Sequence, residues 1–187
     1  IAEGKPALLN NIIINGNTIT NERVIRRQVF TRPGYLFNRS QFERSVREIA
    51  SLGQFEPEYA LSESGYSILP DPMSSTVDIA YNVQEKPSSQ FELSGGWGGN
   101  TFVLTLGLSF NNFSARRMFE KHAWRPVPLG DAQSLAIRFQ TNGTYYTALS
   151  ASFTEPWLVG KKPTSLSMSV YYTRQTNSSY FFLTNDQ

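Results

Sequence analysis

From about residue 90 onward, apolar and polar residues alternate along the chain. In 101–111, Phe102, Leu104, Leu106, Leu108 and Phe110 fall on one side, and Val103, Thr105, Gly107 and Ser109 fall on the other. A period of two sends successive side chains to opposite faces of a strand. One face here is bulky and apolar, and the other is small or polar. That contrast suits a strand with lipid on one side and a wetter interior on the other. Four more segments share the pattern: Phe91, Leu93, Gly95 and Trp97; Leu135, Ile137 and Phe139; Tyr145, Thr147, Leu149, Ala151 and Phe153; and Leu166, Met168, Val170 and Tyr172. Gly98-Gly99-Asn100 and Asn142-Gly143 supply turns between them. At ~3.3 Å per residue and a tilt of about 45°, the second segment rises roughly 25 Å, the height of an outer-membrane apolar band. Five strands do not close such a barrel, since known barrels begin at about eight. An open edge in lipid leaves backbone N–H and C=O groups unpaired, at several kcal/mol each. On this reading the strands are those of an incomplete barrel, the chain is a fragment, and more strands follow Gln187.

The first 87 residues follow a different pattern. Ile12, Ile13 and Ile14 form a β-branched run that Gly16-Asn17 ends as a turn. A helix starts near Thr20, an acceptable N-cap, and carries Val24, Ile25 and Val29. Asn38 begins the strongest helix, with Gln41 as a capping-box partner. Phe42, Val46, Ile49 and Leu52 recur at helical spacing, and Gly53 suits a left-handed position after the last turn. Residues 55–61 read as a strand, and 62–75, with Pro70 and Pro72, as a loop. Val77, Ile79, Tyr81 and Val83 alternate with polar neighbours as a half-buried strand. The order is β-α-α-β-β, and residues 85–89 form a polar junction to the strand region.

Composition narrows the classes. Mean hydropathy is -0.34, which carries no membrane signal, and no stretch approaches the ~20 apolar residues of a spanning helix. A barrel escapes both tests, because only alternate residues must be apolar. Thirteen Phe and nine Tyr favour strands. A net charge of +2 with scattered charges argues against nucleic acid. The absence of cysteine excludes disulfides and thiolate metal sites. The chain opens at Ile1 with no basic region followed by an apolar one, so no signal peptide is visible.

Candidate chemistry is sparse. The glycines at 95–99 lack the pattern of a phosphate loop, and a hairpin turn is the plainer account. Glu155, beside Pro156 and Trp157, has no partner acid or base in the sequence and reads as a strand-end residue. His122, the single histidine, lies in a polar loop with Lys121 and Arg125. Arg116-Arg117 and Lys161-Lys162 suit lipid headgroups, partner proteins or ordinary solvated turns. Arg138 lies on the inward face of its strand. No catalytic residue, metal ligand or cofactor is assigned, and the chain is not read as an enzyme.

A series of short motifs runs through the whole chain: Gly16-Asn17, Val24-Ile25-Arg26-Arg27, Phe37-Asn38, Leu52-Gly53-Gln54-Phe55, Val77-Asp78-Ile79, Val83-Gln84-Glu85-Lys86-Pro87, Asn112-Phe113 and Phe153-Thr154-Glu155-Pro156-Trp157. In order and spacing it resembles the BamA family of outer-membrane β-barrel assembly factors. The resemblance implies an α+β POTRA domain over 1–87, in the periplasm, followed over 88–187 by the first antiparallel transmembrane strands of a barrel in the outer membrane of a Gram-negative cell. About eleven further strands are expected from it. The segment 112–131 is longer than the family's usual turn and is similar to insertions in relatives of the Bacteroidetes group.

The family inserts other barrel proteins into the membrane without nucleotide, by opening the seam between first and last strands. The resemblance therefore implies that Gln90, Phe91, Glu92, Leu93, Ser94, Gly95, Gly96, Trp97 and Gly98 form a main-chain edge for a client strand. Phe102, Leu104, Leu106, Leu108, Phe110, Leu135, Ile137 and Phe139 are expected to face lipid. With the soluble domain in the periplasm, Trp97 lies near the outer boundary and Trp157 near the inner one, as interface aromatics. Expected partners are outer-membrane lipids, unfolded barrel clients and accessory periplasmic or lipoprotein subunits, with no nucleic acid. Two other readings share these early strands: a related POTRA-containing secretion pore, and a soluble β-rich binding module whose alternation faces a protein core.

Overall fold

A computed structural model describes residues 6–176 apart from 99, 100, 125, 144 and 161. The chain builds two sheets in succession. The first unit contains β1 (Leu8–Asn15), α1 (Glu22–Arg26), α2 (Arg39–Ala50), α3 (Pro57–Leu61), β2 (Tyr66–Asp71) and β3 (Thr76–Asn82). Its sheet order is β1-β3-β2, with β1 parallel and β2 antiparallel to β3. The helices close over one face. Asn38 caps α2 by accepting from the Gln41 N–H at 3.2 Å. Phe42, Val46 and Ile49 then bury against Leu9, Ile12, Ile79 and Tyr81. Gly16 adopts φ 91°, where a Cβ would stand 1.9 Å from the Val83 carbonyl oxygen, so only glycine fits this turn.

Several expectations for this unit need correction. Residues 55–61 are not a strand. Phe55 is buried and bridges to Glu85, and Pro57 opens α3 with a fixed φ suited to a first helical turn. The second strand lies in the segment read as a loop. It is an edge strand, and an edge tolerates Pro70, which has no N–H to donate. Thr20 does not cap a helix. α1 starts after Asn21 and ends before Val29, and Thr20 is buried. Gly53 is not left-handed; the chain leaves α2 through tight turns from Leu52 N–H to Ile49 and from Phe55 N–H to Leu52.

The second unit is an antiparallel meander of β4 (Ser89–Gly98), β5 (Thr101–Phe113), β6 (Gln133–Thr141), β7 (Tyr146–Glu155) and β8 (Leu166–Gln175). β7 starts at Tyr146, so Tyr145 belongs to the turn. Residues directly opposite in a ladder share a face. Register therefore assembles rows across the sheet. Phe91, Leu108, Ile137, Ala151 and Val170 form one row, and Leu93, Leu106, Phe139, Leu149 and Tyr172 form the next. The other face carries Glu92, Gly107, Arg138 and Ser150 in one row, and Gln90, Ser109, Ala136 and Ser152 in another.

The apolar face is open where the strands are free of the first unit. Phe91 is 68% exposed and Val170 69%. The soluble-module reading requires a layer over these side chains, and no described residue supplies one. Phe102, Leu108 and Ile137 are exposed, while Leu104, Leu106, Leu135 and Phe139 are half-buried by their strand neighbours. Phe110 departs from the expectation of lipid exposure. It lies on the same face but is buried, at the strand end where the β5–β6 register shifts before Phe113. No described helix is long and apolar enough to cross a membrane, which says nothing of strands.

Candidate functional site: a free strand edge and the joint beneath it

β4 pairs with β5 on one side only, and no described strand lies on its other side. Antiparallel ladders alternate hydrogen-bonded and non-hydrogen-bonded pairs, so one bond sets the phase of a ladder. The Asn111 N–H donates to the Ser88 carbonyl at 3.0 Å. This extends the Ser89–Phe110 register by one pair. Gln90, Glu92, Ser94 and Gly96 therefore turn their backbone groups toward β5. Phe91, Leu93, Gly95 and Trp97 turn theirs toward the free side. A second bond checks the phase. Asn142 N–H donates to the Tyr146 carbonyl at 3.0 Å, and counting back through β6 and β5 gives the same alternation. The free donors and acceptors thus belong to the residues whose side chains lie on the apolar face. Gly98 ends β4, and Gly99 and Asn100 of the expected turn lie outside the described residues.

On the polar face Arg138 donates to Glu92 at 2.7 Å, across Gly107. A Cβ on Gly107 would stand 3.1 Å from Glu92, so the glycine makes room for the clasp. A hollow of about 570 Å³ lies over this face, lined by Gln90, Glu92, Ser109 and Arg138 among others.

At the lower end the first unit meets the strands through a polar joint. Asp131 is buried and accepts from Arg23, from Asn21 at 2.5 Å and from the Ser114 hydroxyl at 2.7 Å. Burial pushes its carboxyl pKa up, but these donors outweigh burial and hold it below the ordinary value. Asn112 Nδ2 donates to Thr20 Oγ1 at 2.9 Å, Gln54 Nε2 to the Asn111 carbonyl at 2.6 Å, and Asn21 N–H to the Gly130 carbonyl at 2.9 Å. Glu85, just ahead of the strands, accepts from the backbone N–H groups of Thr18, Ile19 and Thr20 and from the Thr18 hydroxyl. Burial again raises and the donors lower, leaving its pKa below normal.

The long segment after β5 is not a free turn. It folds through 3-10 turns at Ala115–Phe119 and Lys121–Ala123 and supplies Asp131 and Gly130 to the joint. Trp157 lies at this same end, 5.3 Å beneath the Arg27 guanidinium. Trp97, 78% exposed, lies at the far end of β4. Glu155 accepts from Gln133 Nε2 at 2.6 Å and from the Trp157 N–H at 2.9 Å, which gives it a role in shaping the strand end. His122 is exposed; Arg125 and Lys161 lie outside the described residues. Sequence reasoning placed Gln54, Glu85 and Asn112 in its motifs without their contacts, and it missed Asp131. Their partners are distant in the chain, and short-range pattern does not find them.

A POTRA family model, the surface antigen variable number repeat, matches residues 7–86, and the Omp85 superfamily domain matches residues 128–187. The chain is 26% identical over 172 residues to the outer membrane protein assembly factor BamA of Neisseria meningitidis serogroup B, covering 91% of this chain and 19% of that protein. It is 28% identical over 160 residues to the chloroplastic outer envelope protein 80 of Oryza sativa subsp. japonica, covering 83% of this chain and 21% of that protein. The chain thus spans about a fifth of the length of these curated relatives. The fold is similar to the crystal structure of BamA from Haemophilus ducreyi lacking POTRA domains 1-3, with a TM-score of 0.68 at 21% identity over 94% of this chain and 29% of that one. It is less similar to CdiB from Acinetobacter baumannii, with a TM-score of 0.50 at 14% identity over 92% of this chain and 30% of that one.

Proposed function

The chain belongs to the Omp85 superfamily as a BamA-like member, and from that premise we propose that it joins a periplasmic POTRA domain, residues 1–87, to the first strands of an outer-membrane barrel, residues 88–187, in a protein that assembles other barrels. The strands cross the membrane with the rows of Phe91 and Leu93 toward lipid. β4 runs away from the POTRA domain, so Trp97 reaches the outer boundary and Trp157 the inner one. Clients are unfolded barrel proteins, and accessory periplasmic or lipoprotein subunits dock on the soluble side.

The observation that supports this most is the phase of the β4 ladder. Its unpaired backbone groups belong to Phe91, Leu93, Gly95 and Trp97, whose side chains share the apolar face. A client strand that pairs there gains hydrogen bonds that lipid cannot supply. It must also place its own apolar side chains opposite these residues, toward lipid. Gly95 and Gly96 leave the strand lightly packed, which favours exchange of partners.

Two proline variants of the full-length protein in lipid vesicles test this. Leu93→Pro removes a free-edge donor and leaves the β4–β5 ladder whole, so the barrel folds and client assembly drops by about tenfold or more. Glu92→Pro removes a ladder donor and disturbs folding itself. Client assembly at the normal rate by folded Leu93→Pro overturns the edge mechanism. Passage of a soluble client through the vesicle wall, without insertion of a client barrel, points to a secretion pore instead.

A further inference from the structure

Below the apolar face, Arg23, Arg27 and Arg116 line one small depression with Glu155 and Trp157. Its volume is about 30 Å³, room for about two water-sized groups. The two nearby carboxylates are already engaged, Asp131 by Arg23, Asn21 and Ser114, and Glu155 by Gln133 and the Trp157 N–H. Arg23 is paired, whereas Arg27 and Arg116 enter no ion pair among the described residues. Burial and then the charge of Arg23 disfavour the charged Arg27; Glu155, Arg116 and Asp131 follow with opposed signs, and its pKa lies below the ordinary value. The depression therefore holds positive charge that its own carboxylates leave uncompensated.

Its position is as informative as its charge. Gln133 begins β6 and Glu155 ends β7. Each lies two residues beyond Leu135 and Phe153, which face each other in the ladder on the apolar face. By alternation Gln133 and Glu155 lie on that same face, about 7 Å below its last apolar row. In a membrane-spanning sheet this is headgroup level, and the neighbouring Leu158 and Val159 are exposed. A guanidinium fork matches two phosphate oxygens.

The geometry points to a binding site for the phosphate of an anionic glycerophospholipid in the periplasmic leaflet, gripped by Arg27 and Arg116 with the Trp157 ring as its floor. This rests on the membrane reading above. The site holds a lipid where the POTRA domain, the insertion and the β7–β8 turn converge, so it couples leaflet composition to the joint.

Native mass spectrometry of the full-length protein released from micelles, with phosphatidylglycerol as the probe, tests the site. The wild type retains one more phosphatidylglycerol than Arg27→Gln/Arg116→Gln, whose affinity for that lipid falls about tenfold. Arg39→Gln/Arg44→Gln, remote on α2, retains it. Millimolar inorganic phosphate does not displace the lipid. Equal retention by the double variant overturns the site, and so does displacement by inorganic phosphate, which marks a soluble-anion site. Heat-modifiable gel mobility reports folding. Should the double variant fail that check, Arg116→Gln alone carries the test with a loss of about threefold, and undiminished retention overturns the proposal. Client assembly in vesicles without anionic lipid is measured alongside. Assembly by wild type with equal lipid retention in the variants refutes this site alone; failure of wild type to enter the bilayer refutes the reading beneath it.

Discussion

Asp131 gathers donors from both units, which makes it the residue whose loss the joint should feel most. Asp131→Asn removes the charge that Arg23 meets and weakens the contacts to Asn21 and Ser114. Arg23 is 39% exposed, so solvent screens part of the pair. We expect the joint to weaken by about 1–2 kcal/mol, read as roughly five- to thirtyfold faster hydrogen exchange at the Asn21 amide. Glu85 gives a pH signature. Its folded-state pKa lies below the ordinary 4.5 because the Thr18–Thr20 donors overcome burial. A carboxyl with a depressed folded pKa contributes stability that is fully present above the unfolded value and lost as pH falls through the folded one. Protection of the amides at 18–20 should therefore hold at neutral pH and decline once pH drops below 4.5. Glu85→Gln should flatten that dependence; an unchanged profile would remove Glu85 as its source.

The strands were the elements most legible in the sequence, because a period of two is a local signal that pairing with neighbours does not alter. The rows that register assembles are built from the same alternating residues. β2 was hidden for a physical reason. As an edge strand with Ile68, Leu69 and Pro70 exposed, it has neither a burial rhythm nor a need for every backbone donor. Phe55 and Pro57 misled in the opposite sense, since an aromatic before a proline suits an extended segment as well as the entry to a short helix. The phase of the β4 ladder was not readable at all, because hydrogen-bond direction depends on which residue stands opposite. The clasp of Glu92 and Arg138 is likewise a product of register. Gly107→Ala should displace it, since the new methyl group would stand 3.1 Å from Glu92. Both partners are well exposed, so the coupling energy should stay below about 1 kcal/mol. A double-mutant cycle on barrel thermal stability checks this, and a larger value would make the clasp a true stabiliser.

At the scale of the whole molecule, the polar contacts between the two units among the described residues comprise hydrogen bonds, the Arg23–Asp131 ion pair and the Arg27–Trp157 cation–π contact, and a joint rich in such contacts permits relative motion. Residues 1–187 contain no cysteine, so Thr20→Cys with Asn112→Cys, in a protein freed of any other cysteine, makes a pair for a short bifunctional thiol reagent. We expect that bridge to form in the resting protein and to slow client assembly, with recovery after a cleavable reagent is cut; full activity while bridged would show that the joint need not move. The connection itself has little slack. Glu85 is cradled by one unit, Lys86 N–H donates to the Gln54 carbonyl at 3.0 Å, and the Ser88 carbonyl is already in the strand ladder. Only three residues separate Glu85 from Ser89, a span of at most about 14 Å when stretched. Tilting the first unit therefore acts as a crank on the root of β4. On the proposed membrane reading, anything that grasps that unit from below, far from the bilayer, acquires leverage over whether the wall of the barrel parts.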